Sequence, residues 1–235
     1  KNKKKILIFA VGSILVIGAG ISAWYFLRPS LELPVAPETS ETTPVPVVPE
    51  AKVVTLPFVP DAPNYLSVDT EAVTDLSLWA MLSQAGVKII EANMGQPVEF
   101  LLTDKNNNPI AFSRFVYLMN IPFGEDLVAS FDEPFSIFLY NDAGKIRLGL
   151  SLSFTDPVKS QKLVMTKEKT LPYLLRTVLF RESTVSRESI FRSGVYKDQA
   201  VRFVNIDTAQ NISFDYAFRE KHWFIGTSKD TLRAI

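Results

Sequence analysis

Hydrophobic and polar positions follow three different rules along this chain. From Ile6 to Leu27 no residue is charged and most are apolar. As a helix rising about 1.5 Å per residue, that run spans roughly 33 Å, enough for the hydrocarbon core of a bilayer. From Pro29 to Pro63 periodicity disappears, and nine of the fifteen prolines fall in this stretch. From Asn64 onward, runs of period two alternate with runs of period near 3.6, which predicts strands interleaved with short helices. These shifts divide the chain into a basic tail (1–5), a transmembrane helix (6–27), a Pro-rich linker (28–63) and an α+β domain (64–235).

The charges beside the first run orient it. Lys1, Lys3, Lys4 and Lys5 precede it, and only Arg28 follows closely. The positive-inside rule places the N-terminus in the cytoplasm and the bulk of the chain outside. Trp24 and Tyr25 lie near the outer end, where amphipathic rings favour the headgroup zone. Gly18 and Ser22, or Ala19 and Ala23, have the spacing of a close helix contact. The rival is a cleaved signal peptide. Ala23 would precede the cut, but Ile21 is bulky for such a site, and the apolar run continues through Leu27. Signal cores of about 7–15 residues are shorter than this one, which favours retention. The chain starts at Lys1 and stops at Ile235 inside a helical pattern, so a longer parent protein is expected.

In the linker, proline removes amide donors and pushes each preceding residue to extended geometry, so a semi-rigid polyproline-II spacer is expected. Its acidic residues, Glu32, Glu38, Glu41 and Glu50, disfavour contact with an anionic lipid surface. The apolar end, VVTLPFVP, is suited to docking along the following domain.

In that domain, TDLSLWAMLSQAG (74–86) reads as a helix capped by Thr74, with Leu78, Met81, Leu82 and Ala85 on one face and Gly86 as its stop. VKIIE (87–91), PVEFLLT (97–103) and SIFLY (136–140) read as strands, DKNNNP (104–109) as a turn and SRFVYLMNI (113–121) as a short helix. KIRLGLSLSF (145–154) alternates strictly and forms a hairpin with SIFLY through NDAGK. Asp156 and Pro157 are a strong helix start, expected to run to Lys167. A second helix is expected near Pro172 to Phe180. AVRFVNI (200–206), ISFDYAF (212–218) and HWFIG (222–226) read as strands, and Thr227 or Ser228 caps a last helix.

FLYNDAGKIRLGLSLSFTDPVKS and FDYAFREKHWFIGTSKDT share an order: Phe-x-Tyr, a charged turn, a second strand, a Thr-led cap and a helix. The fold class expected is α+β: N-terminal transmembrane helix, Pro-rich linker, then a mostly antiparallel sheet with short helices, with a repeated strand–strand–helix unit. The lysine-flanked anchor, the spacer, the hairpin FLYNDAGKIRLGL and the closing DYAFREKHWFIGTSKDTLRAI together resemble single-pass membrane-anchored proteins of unknown function from reduced-genome bacteria. That resemblance implies a bacterial envelope location and no particular activity.

Composition narrows the chemistry. Basic and acidic residues number 25 each, so no global field draws nucleic acid. Cysteine is absent, which removes disulfides, thiolate metal sites and cysteine nucleophiles. His222 is the sole histidine, and no glycine-rich phosphate loop or G-x-S-x-G occurs. No catalytic, cofactor-binding or metal-binding residue is assigned. Glu125, Asp126, Asp132 and Glu133 are the carboxylates closest to a catalytic pairing, and their placement also suits helix starts. Between 176 and 202, Arg176, Arg181, Arg187, Arg192, Lys197 and Arg202 outnumber the acids and form the expected partner-binding set. The expectation is a single-pass cell-membrane protein whose residues 6–27 contact lipid. Its extracytoplasmic domain binds a protein partner in the envelope without catalysis. The alternative is an envelope hydrolase using carboxylates or a Ser/Lys pair.

Overall fold

The computed structural model describes residues 57–180 and 183–235. The expected transmembrane helix lies outside the described residues, as does the linker up to residue 56. No helix among the described residues is long and apolar enough to cross a membrane.

Eight strands form one sheet: β1 (Asn64–Ser67), β2 (Val98–Thr103), β3 (Phe131–Asp142), β4 (Lys145–Phe154), β5 (Arg192–Tyr196), β6 (Gln199–Asp207), β7 (Ile212–Arg219) and β8 (His222–Gly226). Their order is β1-β2-β3-β4-β8-β7-β6-β5. β1 and β2 are parallel; every other neighbouring pair is antiparallel. The helices are α1 (Asp75–Glu91), α2 (Phe112–Leu118), α3 (Glu125–Val128), α4 (Pro157–Lys167), α5 (Leu171–Leu174), α6 (Arg176–Leu179) and α7 (Lys229–Ala234). The fold is mixed α+β with a mostly antiparallel sheet, as the alternating patterns predict.

Three local expectations change. VKIIE (87–91) is the last turn of α1 and not a strand. Leu78, Leu82, Ala85, Gly86 and Ile89 are all buried, so the helical stripe runs straight through Gly86. That glycine is a contact residue and not a stop: a Cβ there would lie 2.7 Å from Cγ1 of Ile146 on β4. The helix expected near 172–180 is two single turns, parted where Leu175 leaves helical geometry at φ −91, ψ 5. β1 and β5, which the sequence patterns do not predict, form the two sheet edges.

Other signals act as read. Thr74 Oγ1 accepts from the Ser77 amide while the Thr74 amide donates to Ser77 Oγ, closing a capping box. Asp156 accepts from the Lys159 amide with Pro157 opening α4. Ala143 and Gly144 both take positive φ, the pairing a tight β3–β4 hairpin requires.

The core lies on one face. Leu148, Leu150, Leu152 and Phe154 of β4, Trp223 and Ile225 of β8, and Phe214 and Tyr216 of β7 pack with α1 and with Val164 of α4. Full burial of such side chains contributes about 1.5–3 kcal/mol each. α7 lies on the opposite face. Gly149 alternates with the core-facing leucines and pairs with Gly226. A Cβ on Gly149 would lie 2.9 Å from Ile235; one on Gly226 would lie 2.6 Å from the Leu232 amide nitrogen. The same Thr-led cap therefore launches two helices to opposite sides. The strand ahead of α4 ends on core-facing Phe154, and the strand ahead of α7 ends on outward-facing Gly226, which inverts the exit.

Candidate functional site: a groove on the open sheet face

Alternation along β5, β6 and β7 fixes which side chains meet on the face that α7 leaves uncovered. Register pairs Gly194 with Val201, and Val201, Phe203 and Asn205 with Ala217, Asp215 and Ser213. These residues form the floor of a groove of about 640 Å³. Lys229, Leu232 and Arg233 of α7 form one wall; Tyr196 and Lys197 close the far end. The Arg233 guanidinium lies over the Tyr196 ring at 4.4 Å, which joins the helix to the end of β5.

Asp215 is the chemically unusual residue of this floor. It is 5% exposed. Its Oδ2 accepts from Ser213 Oγ, and the carboxylate has no other hydrogen bond among the described residues. Burial pushes its pKa up to about 6; the Ser213 hydrogen bond and the charges of Lys229 and Arg233 oppose the rise, and Asp230 adds to it. Its second oxygen is not one of the fully buried side-chain atoms without a hydrogen-bond partner and opens to the groove.

Of the remaining polar lining, Gln199 donates from Nε2 to the Ala200 and Phe218 carbonyls. The side chains of Asn205 and Asn211 make no hydrogen bond among the described residues. Lys229 makes no close ion pair there, and Arg219 lies over the Phe224 ring at 4.0 Å without one. Arg233 reaches Asp230 at 3.5 Å, with both groups substantially exposed. Four cations line the groove (Lys197, Arg219, Lys229 and Arg233) against one acid, Asp215.

A second polar cluster occupies the covered face of the same strands. Arg202 donates from Nε and Nη2 to the Glu168 carboxylate at 2.7 and 2.6 Å, and the Tyr216 hydroxyl donates to it at 2.6 Å. Burial raises the Glu168 pKa, but the hydrogen bonds from Arg202 and Tyr216 and the Arg202 charge outweigh it, leaving the net value below the ordinary one. Burial and the bond to Glu168 push the Tyr216 phenol well above its usual range. This cluster ties the turn after α4 to β6 and β7.

The six basic residues expected to bind a partner do not share one surface. Lys197 lines the groove. Arg192 shares its face by pairing with Phe203 at the sheet edge. Arg202 belongs to the covered cluster. Arg176 stacks on Tyr173 at 3.8 Å, Arg187 is exposed in a loop, and Arg181 lies outside the described residues. Arg219, Lys229 and Arg233 complete the groove's charge, and the sequence reading passed over them. Lys229 and Arg233 are four apart in the last helix, a spacing that places both on one side.

Glu125, Asp126 and Glu133, weighed for catalysis, do not line this groove. Glu125 and Asp126 occupy the first turn of α3, and Asp126 meets Lys167 at 3.2 Å. Glu133 accepts from Ser113 Oγ at 2.6 Å. His222 pairs with Arg219 across β7 and β8, its ring 5.8 Å from Phe224. No group of three His, Cys, Asp or Glu able to hold a metal ion occurs among the described residues. Comparison with family models, curated proteins and solved structures finds no match.

Proposed function

We propose that this chain is a single-pass envelope protein whose extracytoplasmic domain binds a partner or ligand without catalysis, and that the groove beside α7 is the binding site. In this reading residues 6–27 anchor the chain in lipid with the N-terminus cytoplasmic, and residues 28–63 hold the domain off the surface. The anchor rests on the uncharged 22-residue run and its flanking lysines. The resemblance to single-pass proteins of reduced-genome bacteria agrees with this location. The two strand–strand–helix units are read as reuse of one hairpin-and-cap design, with the second helix turned outward to build the groove wall.

The observation that carries the binding site is Asp215. A nearly buried carboxylate with one hydrogen bond opposes folding at neutral pH. Side chains that weaken the fold concentrate where a ligand supplies the missing partner. Binding is favoured over hydrolysis because a single carboxylate lines this groove, and two-carboxylate glycan hydrolysis requires a second.

Two measurements test the reading. The chain has no cysteine, so Asn106→Cys in the exposed turn reports which side of the membrane the domain occupies. An impermeant maleimide is expected to label it in intact cells; labelling only after lysis would overturn the topology. A photo-crosslinking residue at Val201 or Asn205 is expected to form adducts in intact cells that the same residue at Asn106 does not. Absence of adducts from both groove positions would remove the groove as a binding site.

A further inference from the structure

The lining of the groove restricts what it can hold. Asp215 offers an open carboxylate oxygen as acceptor, and Lys229 and Arg219 offer donors without an ion pair among the described residues. The free amides of Asn205 and Asn211 offer both. Val201, Phe203, Ala217 and Tyr196 supply apolar and aromatic surface between these polar groups. The charge balance of the lining is positive. The groove follows β6 from Gln199 to Asn205, about 20 Å at about 3.3 Å per residue.

Resting on the binding reading above, we propose that this groove holds a run of several sugar rings from an anionic glycan. Each hydroxyl of a sugar both donates and accepts, so neighbouring hydroxyls satisfy planar carboxylate, amide and guanidinium groups in pairs. One ring face is largely C–H and packs on Phe203. Carboxylates on the rings meet Lys229, Arg233 and Arg219 at the rim. An extended acidic peptide suits the site less well. Peptides that add to sheets pair their main chain with a strand edge, whereas this groove lies on a sheet face and presents side chains.

The test is calorimetric titration of the full chain in detergent micelles with four probes: tetragalacturonate, an N-acetylglucosaminyl–N-acetylmuramyl tetrasaccharide, neutral cellotetraose and hexaglutamate. One of the two acidic glycans is expected to bind about tenfold or more tightly than cellotetraose and hexaglutamate. Asp215→Asn, which keeps the shape and is not expected to weaken the fold, should lower that affinity about tenfold. The double variant Lys229→Ala/Arg233→Ala should lower it further and flatten its salt dependence. Tighter binding of hexaglutamate, equal binding of acidic and neutral sugars, or unchanged affinity in Asp215→Asn would each overturn the proposal. If no probe binds while Val201 and Asn205 still crosslink in cells, the glycan assignment falls and the binding site stands. Loss of those crosslinks removes the binding site itself.

Discussion

Asp215 and Tyr216 are consecutive residues of β7 that face opposite sides of the sheet. Tyr216 points into the covered face, where Glu168 receives three hydrogen bonds and Arg202 gives an additional one to Ser193. Asp215 points into the open groove with Ser213 as its hydrogen-bond partner. Both sites are polar and largely covered, but one is closed on itself and the other opens to the groove. A saturated network acts as a clamp, and removing a member exposes the loss directly. An incomplete one lowers stability until an outside group completes it. Polarity alone does not mark a binding site here; a carboxylate oxygen left open to a groove does.

The most damaging way to break the clamp is to remove its cation. Arg202→Ala leaves Glu168 with the Tyr216 hydroxyl and no charge partner. A loss of about 2–3 kcal/mol is expected, below the full figure for a buried pair because Arg202 is partly exposed. A shift in the denaturation midpoint checks it. The Glu168 carboxyl sits below its ordinary pKa of 4.5. Its contribution is therefore present above that value and lost as pH falls through the lower folded value, and Arg202→Ala should flatten the acid limb.

Next in size is Gly226→Ala. The new methyl would meet backbone of α7, at 2.6 Å from the Leu232 nitrogen and 3.0 Å from the Ser228 oxygen. Backbone cannot swing aside as a side chain can, so the helix must shift, at about 1–3 kcal/mol. The expected signature is loss of groove crosslinking with the tryptophan environment of the core unchanged. Unaltered crosslinking would show that α7 does not shape the groove.

Asp215→Asn sharpens the contrast because its sign is opposite. The folded pKa of about 6 lies above the ordinary 3.8. The folded state therefore binds the extra proton, and stability falls as pH rises from about 4 to about 6. Lys229, Arg233 and Asp230 on α7 are the charged groups that set this balance locally. Replacement by asparagine should stabilise the domain by about 1–3 kcal/mol at pH 7.5 and remove the decline over that window. A stability curve against pH decides the matter, and a destabilised variant would show that Asp215 is structural.

The smallest effect is expected for Lys229→Ala, within about 0.5 kcal/mol, since an exposed side chain without an ion pair contributes little. Its consequence should appear in the Asp215 titration, which moves upward when a nearby positive charge is lost.

Much of this architecture was legible in local pattern. KIRLGLSLSF alternates cleanly and is β4; Asp156-Pro157 opens α4, which ends at Lys167 as read. VKIIE misled because β-branched residues at the end of a helix look like a strand when Gly86 is taken as a stop. RSGVY, the whole of β5, carries too weak an alternation to be seen. The groove was hidden for a different reason. Its residues are drawn from 194 to 233 and meet only through strand register and the placement of α7.

By itself, the order of residues determined most of the strands and helices, which face of each is apolar, and that an uncharged run precedes a proline-rich spacer. Those are short-range properties, governed by backbone sterics, capping and periodic burial. Tertiary structure decided that Arg202 is a clamp residue and not a free cation, that the last helix crosses to the uncovered face, and that Asp215 is nearly buried yet keeps one oxygen open to the groove. Burial and hydrogen-bond partnership are set by what arrives from elsewhere in the chain, and no local pattern encodes that.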